Sequence, residues 1–402
     1  MKRIIFIIVL MCVLVGCGLF DKDDRPLWTM FVYMAADNNL YDFAIADIIE
    51  MQRGLLNNNN VRIIVYIDHC GISTNGRVEY LEISPSDRDV VSSRVLRRHG
   101  DEDSGSGETL LKFMNWAYSR YASERNVLVI WSHGDGWVRS GNAMLGIGQD
   151  DTSGNMIGVS TGEFRNAFFR HNKRYDIIIL DACEMGSLEV VTELEGYADF
   201  VIASMDRLNA NGFPWSTIIE TWGASVSARE LARLIVSHTA NAYRMGGIYN
   251  NSGFVTRDKK LSLSVYSMSK LDSLIEAIQE FSTTFANPDY SDYFANIRGV
   301  VFHLSGFASA NNDVDFYDFV RLVRDENSFT AEQKAVIETL WYALDDFIVY
   351  NETLDSLNKM MISIMYPEYY QHFVGINEKH WSNLRLSRSD WDVFLSSVYG
   401  DK

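Results

Sequence analysis

The apolar residues of this chain fall into short unbroken runs separated by amphipathic stretches. Trp28–Ala35, Val61–Ile67, Asn126–Trp131 and Tyr175–Leu180 are almost continuously aliphatic or aromatic, and Asp199–Ala203 is a fifth candidate of the same kind. A strand covered on both faces has no solvent side to mark with polar residues, so these runs read as buried, mostly parallel strands. Between them, 37–52 carries Leu40, Phe43, Ala44, Ile48 and Met51 at helical spacing, and Gly107–Tyr121 is amphipathic. A hairpin is expected near 77–97, and the capping-box pattern Ser160-x-x-Glu163 predicts one helix, with another from about Ser187. Gly146-Ile147-Gly148 reads as a turn. Strands alternating with helices over the first 220 or so residues predict an α/β fold, a mostly parallel sheet sandwiched by helices.

Farther on, Ser227-x-x-Glu230 and Thr330-x-x-Gln333 mark helix starts, and Leu261–Tyr266 alternates like a half-exposed strand. This predicts a helix-rich extension, 223–402, packed on a core of 28–222. No Pro/Gly-rich linker separates the two, so the boundary rests on the change of pattern alone. With only five prolines and no repeat period, solenoid and linker-rich architectures are excluded.

The N-terminus departs from this pattern. Met1-Lys2-Arg3 precedes the apolar run Ile4–Val15, too short for a comfortable membrane span and suited to a removable export signal. Leu14-Val15-Gly16-Cys17 resembles a bacterial lipobox, which implies cleavage after residue 16 and a lipid on Cys17; a plain secretory signal is the alternative. The acidic tether, 17–27, contains Asp21-Lys22-Asp23-Asp24, which resembles the surface-export signals of lipoproteins in Bacteroidetes-like bacteria. The expectation is an exported lipoprotein, anchored to a membrane through Cys17, at the outer-membrane surface.

Composition narrows the function classes. With 53 acidic against 36 basic residues the formal charge is -17, which repels a phosphate backbone and argues against a nucleic-acid partner. Of the four cysteines, Cys12 leaves with the signal and Cys17 would be acylated, so Cys70 and Cys183 remain. Two are too few for a disulfide framework, and a free thiol outside the cytoplasm calls for an explanation.

Cys183 supplies one in combination with His133. Each follows an apolar strand directly, so in one parallel sheet both stand at the carboxyl edge, where ligands and catalytic groups collect. A cysteine nucleophile needs an imidazole to take its proton, and loops at adjacent strand ends can hold such a pair. Taken singly, a cysteine after a buried strand is usually a small core residue and a histidine in a glycine-rich loop is usually just exposed, and Cys183 and His133 each read that way first. Together, about fifty residues apart with His first, they fit the spacing of caspase-type peptidases.

The motifs Trp131-Ser132-His133-Gly134-Asp135-Gly136-Trp137 and Asp181-Ala182-Cys183-Glu184-Met185-Gly186-Ser187 resemble the two catalytic motifs of the clostripain family of cysteine peptidases, in the clan of caspases, gingipains and legumain. The resemblance extends to Tyr33–Leu40 and to Asn211-Gly212-Phe213-Pro214-Trp215, and weakens toward the C-terminus. It implies a caspase-like fold and an endopeptidase in which Cys183 is the nucleophile and His133 the proton shuttle. It places the backbone N–H groups of Gly134 and Cys183 at the oxyanion, and Asp181 in a pocket for an Arg or Lys side chain. On local chemistry alone Asp181 could equally hold the strand-end turn through backbone N–H groups. The family commonly shows a serine and two acids where this chain has Ser204-Met205-Asp206, so Asp206 remains a substrate-binding candidate in a less acidic loop. Relatives are often cut internally between the two motifs, and Arg139 is a basic candidate for such self-cleavage.

No organic cofactor is expected. The resemblance allows calcium without naming a ligand set, although acids cluster at Asp101, Asp103 and Glu108 and again at Asp150 and Asp151. Acids ahead of a helix also favour its N-terminus without any metal. Two rivals stay open: a catalytically silent surface lipoprotein that keeps the fold as a binding module, and a peptidase of the same fold with a non-basic preference.

Overall fold

In the computed structural model, which describes residues 26–70, 77–137, 146–245, 249–250, 253–254, 261–304, 312–354, 361–377 and 380–400, the apolar runs form the centre of one nine-stranded sheet. Its strands are β1 (Trp28–Met34), β2 (Val61–Asp68), β3 (Val78–Glu82), β4 (Arg94–His99), β5 (Arg125–Trp131), β6 (Tyr175–Asp181), β7 (Ala198–Ser204), β8 (Ser262–Ser267) and β9 (Ile348–Thr353). Their spatial order is β9-β8-β7-β6-β5-β1-β2-β3-β4. The five central strands run parallel. The outer pairs on both sides are antiparallel.

Alternate residues of each central strand feed two cores. Met30, Val32, Val129 and Ile179 face one layer with α1 (Tyr41–Gly54), through Ala44 and Ile48, and α4 (Ala228–Met245), through Leu231 and Ile235. Phe31, Leu128, Ile130 and Ile178 face the other, with α2 (Gly107–Tyr121) and α3 (Glu163–His171). That second core continues into α5 (Leu271–Phe285) and α6 (Ala331–Phe347) of the C-terminal half. Full burial on both faces removes the polar alternation, and each large apolar side chain so placed contributes roughly 1.5–3 kcal/mol.

Three local expectations are corrected. β8 is buried along its whole length instead of half-exposed, because Leu263 and Val265 pack into one core while the opposite face, with Ser264 and Tyr266, meets the other core and the segment at Met361. Its serines are satisfied internally: Ser264 Oγ donates to the Met361 carbonyl at 2.7 Å and accepts from Asn351 Nδ2 at 2.9 Å. Ser160 does not cap α3; Gly162, at φ 77°, takes that position, and Glu163 instead accepts the N–H of Gly107 at 2.8 Å and of Gly158 at 3.3 Å. Gly146-Ile147-Gly148 belongs to a strand, Gly146–Asp150, paired with Asn155–Gly158. By contrast Thr330 and Gln333 do form a reciprocal capping box at the start of α6.

Candidate active site

Strand register delivers the two motifs to one place. Trp131, the last residue of β5, pairs with Asp181, the last of β6, and the Ser132 N–H reaches the Asp181 carbonyl at 3.3 Å. His133 and Cys183 therefore leave the sheet edge side by side, two residues beyond a matched pair. They line a cavity of about 110 Å³ together with Trp131, Asp181, Leu208 and Gly212. A larger cavity of about 620 Å³ among Arg298, His303 and Tyr366 holds no cysteine.

The site is electrically quiet. Burial pushes the Cys183 thiol up to about 11, and the sulfur accepts the Leu208 N–H at 3.3 Å. Burial also lowers the affinity of His133 for a proton, against the opposing pull of Asp135 and Asp151. Both groups are thus neutral at pH 7. His133 Nε2 donates to Asn39 Oδ1 at 2.6 Å, which leaves Nδ1 as the ring's proton acceptor. Asn39 follows β1, in a turn held by Asn38, whose Oδ1 accepts the Leu40 N–H and whose Nδ2 donates to the Ala35 and Gln149 carbonyls. Asn39 lies in the resembling segment Tyr33–Leu40, but no spacing gives it a role; its place in that segment, just beyond a central strand, was the available signal.

Gly134 is fixed by contact between the two motif loops. A Cβ there would lie 2.5 Å from the Cys183 carbonyl oxygen and 2.8 Å from the Ala182 Cβ. Among the described residues neither the Gly134 nor the Cys183 N–H has a hydrogen-bond acceptor. Gly134→Ala should therefore drive the loops apart: kcat/KM falls at least about 100-fold, as expected for a misplacement near 1 Å. Overpacking of about 1–3 kcal/mol lowers the melting temperature alongside. Steady-state kinetics and a thermal melt check both, and near-parental activity would show that the loops adjust without harm.

The Asp181 side chain is buried, accepts no backbone N–H among the described residues, and has one oxygen, Oδ2, with no hydrogen-bond partner. Burial pushes its carboxyl up to about 8. Asp206 is placed differently. Its Oδ1 accepts the Arg207 N–H at 2.7 Å, and its carbonyl accepts the Glu184 N–H at 3.2 Å, so it braces the loop after Cys183 and does not line the cavity. Met205 is fully buried against Leu304 and Phe302, so the position that departs from the family pattern faces the C-terminal half. Cys70 and Cys183 are both free thiols. Cys17 and Arg139 lie outside the described residues, as does the whole export segment.

The acids considered for calcium are largely engaged elsewhere. Asp103 accepts from Ser153 Oγ and Asn155 Nδ2 at 2.9 Å each, Asp150 accepts the N–H groups of Ser104 and Ser153, and Glu108 pairs with Arg170. Among the described residues no group of three or more His, Cys, Asp or Glu side chains is arranged to hold a metal ion. No helix among them is long and apolar enough to cross a membrane.

Comparison with known proteins places this geometry. A model of the clostripain family of peptidases matches residues 32–393. Clostripain of Hathewaya histolytica is 22% identical over 427 aligned positions, which cover 90% of this chain and 79% of the relative. A secreted C11 cysteine protease of Bacteroides thetaiotaomicron, solved with an irreversible peptide inhibitor, superposes with a TM-score of 0.69 at 22% identity, covering 91% of this chain and all of the other. An inactive zymogen C11 protease of Parabacteroides distasonis gives 0.68 at 22%, over 91% and 99%. These structural likenesses establish the fold.

Proposed function

The chain belongs to the clostripain family of cysteine peptidases, and on that premise we propose that it is an exported endopeptidase cutting after Arg or Lys through Cys183 and His133. The observation that carries the reading is a small cavity where a half-buried thiol, an imidazole and a buried carboxyl group with an unpartnered oxygen meet. A carboxylate buried in that state is costly unless a cation joins it, and a guanidinium or ammonium on the substrate is the natural partner.

The chemistry follows from the resting protonation. As the scissile carbonyl arrives, His133 Nδ1 takes the thiol proton while Sγ bonds to the carbonyl carbon. Negative charge moves to the carbonyl oxygen, toward the N–H groups of Gly134 and Cys183, each such donor contributing about 3 kcal/mol. Collapse breaks the C–N bond, the amine leaves with the proton from His133, and a thioester remains on Cys183. Water then attacks the thioester, giving its proton to His133, and the carboxylic acid departs as the thiol is restored. His133 must swing no farther than its tether to Asn39 allows.

A panel of fluorogenic peptides ending in Arg, Lys, Asp, Asn or Ala tests the reading. Release confined to Arg and Lys is expected; release after another residue would keep the peptidase and discard the role given to Asp181. Asn39→Ala should lower kcat about tenfold with little change in KM, because it frees the imidazole without touching the pocket. Asn39 is exposed, so the melting temperature should hold, and an unchanged kcat would remove its orienting role. Lipidation at Cys17 and self-cleavage at Arg139 complete the proposal. Mass spectrometry of the membrane-extracted protein reads both, as an acylated N-terminal Cys17 and as a new N-terminus at Ser140.

A further inference from the structure

The chain that leaves β7 runs back along the nucleophile loop, and the two are joined at two-residue intervals. The Gly186 N–H donates to the Ser204 carbonyl at 2.7 Å, and the Glu184 N–H to the Asp206 carbonyl at 3.2 Å. Partners that recede by two on one side and advance by two on the other run antiparallel, so the next rung sets Leu208 opposite residue 182. The pattern breaks there. Leu208 addresses the Cys183 side chain instead: its N–H donates to Sγ at 3.3 Å, and the thiol donates to its carbonyl at 3.5 Å. One residue thus turns both its donor and its acceptor on the sulfur, the pair of bonds that an antiparallel partner would exchange with backbone.

The loops are held in this register firmly enough to keep a strained residue. Glu184 has φ 57°, in the left-handed region that a residue with a Cβ seldom enters and that persists where its surroundings over-determine it. A Cβ on Gly186 would lie 2.6 Å from the Met205 nitrogen, so the two chains touch along their backbones. The turn before Leu208 is fixed as well: Ser204 Oγ donates to the Asp206 carbonyl at 2.8 Å, and the Arg207 N–H to Asp206 Oδ1 at 2.7 Å. The two groups of Leu208 act on Sγ in opposite senses. Its carbonyl needs the S–H and favours the thiol, whereas its N–H turns a positive end toward sulfur and favours the thiolate. Once a base takes the proton, only the N–H bond remains.

We propose that the main-chain N–H of Leu208 is a catalytic donor to the nucleophile: it steadies Sγ as the thiol proton passes to His133, and again as the thioester C–S bond breaks and its electron pair returns to sulfur. The inference rests on the reading of Cys183 as the nucleophile. No atom moves to or from Leu208; the proton travels from Sγ to His133 Nδ1 and comes back when the thiol is restored, and the donor acts by its hydrogen bond alone. Because backbone supplies it, no side chain marks the position in the sequence, and among the amino acids only proline lacks the group.

The test places the α-hydroxy acid that corresponds to leucine at position 208 of the full chain, so that an ester oxygen stands where the N–H was and the side chain is kept. Losing one donor to an ionised acceptor should cut the thiolate population about tenfold. The thiolate that remains is about threefold more nucleophilic, so iodoacetamide should alkylate Cys183 about threefold more slowly at about pH 8. Peptide hydrolysis should lose about tenfold in kcat, with KM held within about twofold. A merely structural role has the opposite sign, since a loosened loop exposes the sulfur and speeds alkylation; a rate unchanged or raised would overturn the proposal. The same ester at Arg207, whose N–H serves Asp206, should leave alkylation near the parental rate, and equal slowing there would refute the donor and implicate the loop as a whole. Should the ester protein fail to fold, amide exchange decides: the Leu208 N–H should exchange at least about tenfold faster in Cys183→Ala than in the parent while the Gly186 N–H is unmoved, and equal protection refutes the bond. A parent that still hydrolyses peptides after complete alkylation of Cys183 would instead overturn the nucleophile reading beneath it.

Discussion

Cys183→Ala is expected to bring peptide hydrolysis to background, a loss on the order of 10⁶-fold when the lone nucleophile of an acyl-transfer site is removed. The fold should survive, because the thiol's hydrogen bonds are two long ones with Leu208, an N–H···S at 3.3 Å and an S–H···O at 3.5 Å, and alanine leaves the backbone of both motif loops in place. Melting curves should therefore coincide within a few degrees while activity vanishes, and the same variant should retain substrate binding. The resting state adds a pH signature. Since burial holds the thiol at about 11, alkylation of Cys183 by iodoacetamide in the free enzyme should accelerate about tenfold per pH unit from pH 6 to 9. A rate already flat across that range would mean that His133 holds the proton at rest, and the neutral pair derived above would be wrong. Persisting hydrolysis in Cys183→Ala would move the chemistry elsewhere.

Why His133 and Cys183 could be paired from sequence is now physical. Each central strand is buried on both faces, so its limits show as the ends of an apolar run, and parallel neighbours of equal depth end at the same edge. Trp131 opposite Asp181 makes that argument literal. Short-range patterns served where the cause is local, as in the Thr330–Gln333 cap. They failed where a distant segment intervenes. β8 alternates serine with apolar residues like a solvated strand, yet β9, more than eighty residues later, pairs with it and supplies Asn351 to Ser264, and the segment at Met361 meets its serine face. Glu163 was read as a cap partner, whereas the N–H groups of Gly107 and Gly158 claim it. The same holds at the site. Asn39 falls within the resembling segment Tyr33–Leu40, yet it lies 94 residues from the imidazole it holds, so no local pattern gives it that role. Met205 looked like a loss of pocket charge, but its side chain packs toward Leu304, away from the cavity.

Asp181→Asn should reduce kcat/KM for Arg- and Lys-ending peptides by roughly 10² to 10⁴-fold. The estimate follows from the cost of about 3–5 kcal/mol for leaving one member of a buried ion pair without its partner. Amide and carboxylate are nearly isosteric, so weak hydrolysis of uncharged peptides should be unaltered, which separates lost recognition from lost catalysis. Stability should move the other way. The Asp181 carboxyl is held at about 8 in the folded protein, against about 4 in an unfolded chain. The folded state thus keeps a proton that the unfolded state releases, and this group's contribution to stability falls as pH rises from about 4 to about 8, then levels off. Asparagine carries no such penalty, so the variant should melt above the parent at neutral and alkaline pH, with the gap closing toward pH 4. A pocket that binds cations with a buried acid is a stability cost retained for specificity. Asp181→Asn protein that still cuts after arginine at the parental rate would show that the cation is met by some other group, and the stability gain alone would then be the behaviour of an ordinary buried acid.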